Sequence, residues 1–292
     1  GWAAQPVLDV AQMQHEAVAL NEYFSVMEDA GASLTLADVT QPEFAERFKS
    51  RNTPGNVLGF SYTRSAIWLR LRLNNSSNEP VERIFEITYS LLANLDICQP
   101  SGSGFHCVEA GYARPLSPQA HSSRYIAVPI RLPAGADQQL YFRVQTPNSL
   151  IVPARLWSVD AFHTYQARDY SIQALYFGIA LAIIVYNLLL YFGLRDVGYL
   201  LYVAFACSVA LALGTFTGMG NEFIWGVTPV WTKIGVTVPA AFASVVMLQF
   251  TRRMLKTQEF VPGLDQWLKL FIGINFVSFF LLILWFQEFV RI

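Results

Sequence analysis

The chain has 292 residues, of which 53% are hydrophobic and 14% are charged, and its formal net charge is −1. Ordinary soluble domains are about 45–50% hydrophobic and about 25% charged, which excludes a purely soluble protein of average composition. The near-neutral charge and the lack of a Lys/Arg block exclude a nucleic-acid partner. Most charged residues precede residue 170, so the chain divides into a polar first part and an apolar second part.

The first part starts with an N-terminal segment at residues 1–30, which we place before a sensor domain at residues 31–160. This segment has no basic start followed by an apolar core, so the sequence contains no signal peptide. An exported domain needs one, and we therefore expect a leader that was removed.

Residues 57–157 predict short strands separated by turns. Apolar positions alternate with polar or aromatic ones in IWLRLRL, in YIAVPIRL and in LYFRVQ. Alternation of period two predicts strands with one buried face. Several such strands at this spacing predict an antiparallel β-sandwich or jelly roll, and with the helices that follow the fold class is an α+β membrane protein.

The strand faces opposite the apolar positions carry aromatic rings and guanidinium groups. Rings of this kind stack on sugars, and guanidinium groups hold carboxylates or hydroxyls, so we expect a ligand-binding surface on one sheet. The alternative is an ordinary solvated face on which Trp68 packs beneath an N-terminal segment. The candidate ligand-binding residues are Trp68, Arg70, Tyr125, Arg131, Tyr141 and Arg143.

Two of the three cysteines, Cys98 and Cys107, flank the turn QPSGSGFH. In an exported compartment cysteines at the two ends of a hairpin form a disulfide, whereas a reducing compartment leaves two free thiols. We predict the disulfide. Cys207 lies in an apolar segment and is interpreted as a packing residue.

No pattern in the sequence indicates catalysis. The histidines lack metal-ligand spacing, and there is neither a Gly-rich phosphate loop nor a G-x-S-x-G motif. We therefore expect that this chain is not an enzyme and holds no cofactor and no metal. The histidines are His15, His106, His121 and His163.

The second part of the chain, residues 171–292, contains four apolar segments long enough to cross a lipid bilayer, after a juxtamembrane connector at 161–170. Ionisable residues are missing from the first three, which argues against a pump. Asn187 and Asn275 are expected to form hydrogen bonds between helices. The spans lie at about 171–193, 198–218, 234–251 and 269–290.

The loops between these spans predict the orientation. The first carries Arg195 and the third carries Arg252, Arg253 and Lys256, whereas the second has no Lys or Arg between residues 219 and 231. The positive-inside rule therefore places the first and third loops in the cytoplasm and the N-terminal domain outside. Four spans return the chain to the outside, so we expect a fragment of a receptor with an odd number of spans.

Three segments resemble a known family. LGFSYTRSAIWLRLRLNN, LYFRVQTPNSLIVPARLW and YNLLLYFGLRDVGYLLYV are similar to segments of the bacterial seven-transmembrane receptors with diverse intracellular signalling modules (7TMR-DISM). The resemblance covers about residues 30–290. It implies a periplasmic jelly-roll domain similar to carbohydrate-binding modules, a bundle of seven helices and a cytoplasmic diguanylate cyclase or histidine kinase. Of the family's ligand-site residues it carries over only Trp68 and Arg70.

The resulting hypothesis is a homodimeric signalling receptor of the bacterial inner membrane. Its periplasmic domain senses a small carbohydrate-like ligand or organic acid, and residues 153–170 couple that domain to the first helix. The alternative is a membrane-anchored binding or envelope-interaction module without enzymatic output. We further expect a Trp68→Ala, Arg70→Ala variant to lose the ligand response and to remain folded.

Overall fold

The computed structural model of the protein describes residues 6–13, 17–50, 57–102, 104–114, 120–121, 123–224 and 229–289. The chain divides into two compact units, the first comprising Gly1–Ala167 and Asn221–Pro229 and the second Arg168–Gly220 and Val230–Ile292. The first unit is built mainly from strands and the second from helices.

The strands and short helices of the first unit follow one another closely along the chain. Within the described residues they are β1 (Val7–Asp9), β2 (Val18–Ala19), β3 (Ser25–Asp29), α1 (Leu36–Val39), α2 (Pro42–Ala45), β4 (Lys49–Ser50), β5 (Leu58–Tyr62), β6 (Ala66–Asn74), β7 (Val81–Ile87), β8 (Asn94–Ser101), β9 (Gly104–Ala110), β10 (Ile126–Leu132), β11 (Asp137–Gln145), β12 (Ser149–Val152) and β13 (Ala154–Ser158).

The larger sheet has the strand order β4-β3-β6-β11-β8-β9, and it has seven strands in the described part of the chain because β1 also pairs with β6. The β1–β6 pairing is parallel, and the other pairings in this sheet are antiparallel. The N-terminal segment therefore belongs to the β-domain, since β1 and β3 lie in this sheet and β2 pairs with β13.

The smaller sheet has the order β10-β7-β13-β2, and β12 pairs with β5 in a separate ribbon. The larger and smaller sheets enclose one apolar core, in which the rings of Phe85 and Phe142 lie 4.7 Å apart. The predicted alternation is confirmed in β6, where Ile67, Leu69 and Leu71 are at most 1% exposed. Burying each such side chain contributes about 1.5–3 kcal/mol. The predicted antiparallel sandwich is confirmed, with β1 as its parallel exception.

The helices that continue the chain include four that are long and apolar enough to cross a membrane, as predicted, among the described residues. The first begins directly after β13, so the predicted connector at 161–170 is helical. The helices are α3 (Val159–Leu194), α4 (Val197–Phe216), α5 (Met219–Phe223), α6 (Pro229–Met254), α7 (Thr257–Phe260) and α8 (Pro262–Phe289).

Ion pairs hold the first and third loops together. A guanidinium N–H of Arg253, at the end of α6, donates to Asp196 in the turn between α3 and α4 at 3.1 Å. The neighbouring Arg252 pairs with the buried carboxylate of Asp265 in α8 at 2.8 Å. This proximity agrees with the predicted placement of both loops on the same side of the membrane.

The amide side chains within the helices differ from the expectation. Asn187 donates to the carbonyl of Ile183, and Asn275 to that of Phe271, in both cases at 2.9 Å. Each amide thus bonds to its own helix four residues back instead of to a neighbouring helix, a local bond that is always within reach of such a side chain.

Candidate functional site

The outward face of the larger sheet, away from the apolar core, carries four of the six candidate residues. Arg70 lies directly opposite Tyr141, and Trp68 lies directly opposite Arg143, on the neighbouring strands β6 and β11. Side chains at directly paired positions point to the same face of a sheet and stand about 5 Å apart. The structure therefore brings Trp68, Arg70, Tyr141 and Arg143 together as one patch.

A segment between β3 and β4 covers half of this patch. We call residues 31–48 the covering segment. It contains α1, whose N-cap Thr35 forms a capping box with Asp38, and α2, which begins at Pro42. The capping box satisfies two backbone donors that a helix start leaves unpaired, which allows so short a helix to form. The covering segment packs onto the sheet through Leu34, Leu36, Val39, Phe44 and Phe48.

Trp68 and Tyr141 are buried beneath this cover, with 2% and 7% of their surface exposed. They pack with Met27 and Cys98 in a second, smaller apolar cluster. Trp68 is thus packed beneath residues 31–48, whereas the alternative placed it beneath the N-terminal segment at 1–30, from which Met27 joins this cluster. Truncating a buried Trp to Ala costs about 3–5 kcal/mol, so the Trp68→Ala, Arg70→Ala variant is now expected to be destabilised.

Arg70 contacts the covering segment with its guanidinium group. The group lies 4.6 Å from the centre of the Phe48 ring, in the geometry of a cation–π contact, and an N–H reaches the carbonyl of Ala45 at 3.5 Å. Burial lowers the pKa of Arg70, because it disfavours the charged form, and the neighbouring Tyr141 opposes that change.

Arg143 contacts the start of the covering segment. Its Nη2 donates to the carbonyl oxygen of Ala32 at 3.2 Å and to Oε1 of Gln145 at 3.2 Å. Among the described residues, no carboxylate lies within 4.0 Å of this guanidinium group. Arg143 is therefore a partly buried cation whose partners are neutral oxygens.

Tyr141 is the centre of the aromatic part of the patch. Its ring meets Phe48 edge-on at 6.1 Å and Phe105 edge-on at 5.7 Å, and its hydroxyl accepts a hydrogen bond from Gln139 at 2.7 Å. Burial raises the pKa of Tyr141, while the charge of Arg70 and the bond from Gln139 oppose the rise. The side chain therefore stays a neutral phenol at physiological pH.

The indole N–H of Trp68 has no hydrogen-bond acceptor within the described part of the chain, although it is fully buried. Leaving a buried donor without a partner costs about 1–3 kcal/mol. Buried polar groups are nearly always paired, so such a group requires an explanation.

The open half of the outward face continues over β8 and β9. Cys98 and Cys107 stand directly opposite each other and form a disulfide, and Cys98 is also the partner of Tyr141. Asp96 lies beside Arg143 on β8 and is ion-paired with Arg114. Our sequence analysis missed Asp96 and Arg114, because neither belongs to a clear alternating segment.

The other two candidate residues lie on the smaller sheet. Arg131 is in β10, where its side chain is 80% exposed and pairs with Glu82 at 3.3 Å. Tyr125 precedes the same strand, and the guanidinium of Arg124 lies 4.1 Å from the centre of its ring. The expectation that all six residues share one sheet is wrong, because β10 pairs with β7 and not with a strand of the larger sheet.

The outward face of the smaller sheet carries the junction with the first long helix. Trp157, in β13, donates its indole N–H to the carboxylate of Glu86 at 2.8 Å, and the ring of Tyr165 stacks on it at 4.6 Å. Phe162, only 1% exposed, packs into the same cluster. The first turns of α3 are therefore part of the β-domain's packing.

One cavity, of about 190 Å³, lies next to β5 and contains none of the six candidates. A carboxylate in its lining, that of Glu28, accepts a hydrogen bond from Ser65 at 2.7 Å. It is lined by Glu28, Gly59, Phe60, Ser61, Thr63 and Ile67.

Metal-binding geometry is not found among the described residues, where no three His, Cys, Asp or Glu side chains form a group that could hold an ion. His15, one of the histidines considered above, lies outside the described residues.

The comparisons with known proteins match both parts of the chain. A family model described as "7TMR-DISM extracellular 2" matches residues 21–158. A second, described as "7TM diverse intracellular signalling", matches residues 169–292. No curated protein is similar enough to the sequence to count as a match.

Proposed function

Because the chain belongs to the 7TMR-DISM family of transmembrane sensory receptors, we propose that its extracellular β-domain binds a small polar ligand and passes that event to the helices. The ligand is carbohydrate-like or an organic acid. The domain faces the periplasm, the helices lie in the bacterial inner membrane, and a homodimer controls a cytoplasmic diguanylate cyclase or histidine kinase.

The observation that carries this proposal is the direct connection between β13 and α3. The strand ends at Ser158 and the helix begins at Val159, so no flexible loop separates the sheet from the first membrane-crossing helix. Trp157, Phe162 and Tyr165 pack together across the junction. A change in the smaller sheet would therefore move the start of α3.

The core of the sandwich links this junction to the patch on the larger sheet. Phe142 lies in β11, between the outward-facing Tyr141 and Arg143, and its ring contacts Phe85 in β7. β7 pairs with β13 over Ala154–Ser158. Because protein interiors are densely packed, a shift of β11 on ligand binding would be felt by β7 and then by β13. The ligand would favour one of two such arrangements.

A thermal-shift screen of the full chain in detergent tests the first step, ligand binding. Sugars, amino acids and organic acids form the panel, and a ligand at about 100 times its Kd adds about 2.7 kcal/mol of stability. The full chain is preferable to a fragment ending near residue 160, because such a fragment lacks Phe162 and Tyr165. If no compound in the panel raises the thermal stability, the result would argue for a protein partner in the envelope.

Distance measurements between spin labels test the second step, the coupling. Labels at Leu194 and Phe260, both exposed, report the loop ends of α3 and α7 in a Cys207→Ala background. We expect a ligand found in the screen to change this distance. A Gly-Gly insertion between Ser158 and Val159 should abolish the change and keep the thermal shift.

The matched control places the same Gly-Gly insertion between Ser101 and Gly102, two exposed residues at the turn between β8 and β9. This variant should retain both the thermal shift and the distance change. A ligand that stabilises the native chain without any distance change would instead support the alternative, a binding module without signalling output.

A further inference from the structure

The pairing of Arg143 with a neutral backbone oxygen indicates what kind of ligand the patch accepts. Its guanidinium group, partly buried, donates to the carbonyl of Ala32 and to the amide oxygen of Gln145. Hydrogen bonds from a guanidinium to a carboxylate are roughly twice as strong as those between neutral groups. A carboxylate entering this position would therefore be a better partner than the carbonyl it replaces.

Ala32 is itself in a strained conformation. Its φ is +50°, in the left-handed region, where a residue with a Cβ is disfavoured by about 1–2 kcal/mol. Its N–H closes a turn onto the carbonyl of Asp29 at 3.1 Å. Strain of this kind is concentrated at ligand sites and switch regions. The carbonyl that Arg143 contacts thus belongs to a residue in a disfavoured conformation.

Trp68 supplies a second donor at the same position. It lies directly opposite Arg143 on the adjoining strand, and its buried indole N–H has no acceptor in the described part of the chain. The two residues occupy paired positions on one face of neighbouring strands. One brings an indole N–H without an acceptor in the described part of the chain, and the other a guanidinium group bonded to neutral oxygens, and donors of this kind suit the two oxygens of a carboxylate. Arg70, two residues further along β6 on the same face, adds positive charge nearby.

We infer that Trp68 and Arg143 form a carboxylate-binding subsite, in which the ligand's carboxylate takes the place of the Ala32 carbonyl. The inference rests on the proposed sensing function and specifies its ligand. Organic acids and acidic sugars contain a carboxylate, whereas neutral sugars do not.

Three probes distinguish an organic acid from an acidic sugar as the ligand: succinate, galacturonate and galactose. Each is titrated into the full chain in detergent, and the Tm of the protein is measured. We expect succinate or galacturonate to raise the Tm and galactose to leave it unchanged. Stabilisation by succinate indicates an organic acid, and stabilisation by galacturonate alone indicates an acidic sugar.

Two variants then test the named side chains. Arg143→Gln keeps hydrogen-bonding groups but removes the charge, and we expect the affinity for the acid to fall about tenfold or more. Trp68→Phe keeps an aromatic ring but removes the N–H, and we expect a loss of about three- to tenfold. Arg72→Gln, a charge removal at an exposed position of β6 whose guanidinium group is ion-paired with Asp137, is the matched control and should bind like the native chain.

The Tm of each variant without ligand shows whether the variant is folded. If Trp68→Phe does not fold, the affinity of Arg143→Gln for the acid is the test of the subsite. Equal stabilisation by galactose and galacturonate, unchanged in Arg143→Gln, would overturn the carboxylate subsite and leave the sensing proposal intact. If neither succinate nor galacturonate raises the Tm at high concentration, the carboxylate subsite is overturned as well. An acid that binds as expected but leaves the spin-label distance unchanged would count against signalling only.

Discussion

The two outward faces of the sandwich each bury one tryptophan, and the two indole N–H groups have opposite fates. Trp157, on the smaller sheet, donates to the buried carboxylate of Glu86. Trp68, on the larger sheet, has no acceptor among the described residues. The start of α3 covers the ring of Trp157, and the covering segment covers the ring of Trp68.

This difference is the basis on which we interpret Trp157 as a structural contact and Trp68 as part of the proposed ligand subsite. At Trp157 every strong donor has a charged acceptor, and the helix that covers the ring is the element that leaves the domain. At Trp68 the indole N–H lacks an acceptor in the described part of the chain, and the cover packs through apolar side chains and accepts hydrogen bonds from Arg70 and Arg143 at two carbonyl groups. The comparison teaches that burial alone does not identify a finished core, because the pairing of polar atoms must be counted too.

The largest effect is expected for Trp157→Ala, which removes both the ring and the bond to Glu86. Large-to-small changes of buried aromatic residues cost about 3–5 kcal/mol. Urea-induced unfolding of the full chain in detergent, followed by circular dichroism, measures this cost. A loss below about 1 kcal/mol would show that the junction is not a tightly packed part of the β-domain.

Trp157→Phe should have an intermediate effect, because the ring is kept and only the donor to Glu86 is lost. A hydrogen bond to a charged group contributes about 1.5–3 kcal/mol, and we expect a destabilisation in that range. The same urea titration measures it, with Trp157→Ala as the upper reference.

Trp68→Phe should cost less, about 1 kcal/mol or below, because its N–H makes no hydrogen bond that could be lost. The pair of Trp→Phe variants is therefore the sharpest form of the comparison. If both changes destabilised the chain equally, the indole N–H of Trp68 would have to be paired in solution, and the comparison would break down.

The smallest change, and the only stabilising one, is expected for Ala32→Gly. Glycine adopts the left-handed conformation without the penalty of a Cβ, although it also loses more freedom on folding. We expect a net gain of about 0.5 kcal/mol, visible as a small rise in the urea midpoint. A lower midpoint would mean that the strain at Ala32 is too small to favour release of Arg143.

Sequence patterns predicted the strands whose apolar and polar side chains alternate regularly. The alternation in β6 and β11 located both the core positions and the outward patch, because a strand has a fixed period of two. The covering segment could not be foreseen, since α1 and α2 have four residues each and show no helical period. The separation of Tyr125 and Arg131 from the patch depends on which strands are neighbours, which alternation does not encode.

The first helix illustrates another limit. Hydropathy located its apolar stretch but not its start, because polar residues such as Asp160 and Arg168 interrupt the first turns, in which Phe162 and Tyr165 pack on Trp157. The disulfide partners followed from their positions around a turn, whereas the carbonyl partners of Arg70 and Arg143 arise only from the path of residues 31–48.

The uninterrupted step from β13 to α3 also sets the rotational phase of the first helix. An α-helix turns by about 100° and rises by about 1.5 Å per residue, so a single residue added at Ser158 would swing the membrane-embedded faces of α3 by more than a quarter turn. Four added residues would bring the phase back to within about 40° while lifting the helix by about 6 Å. Insertions of one and of four residues at Ser158 would therefore separate a change in the rotation of α3 from a change in its position along its own axis.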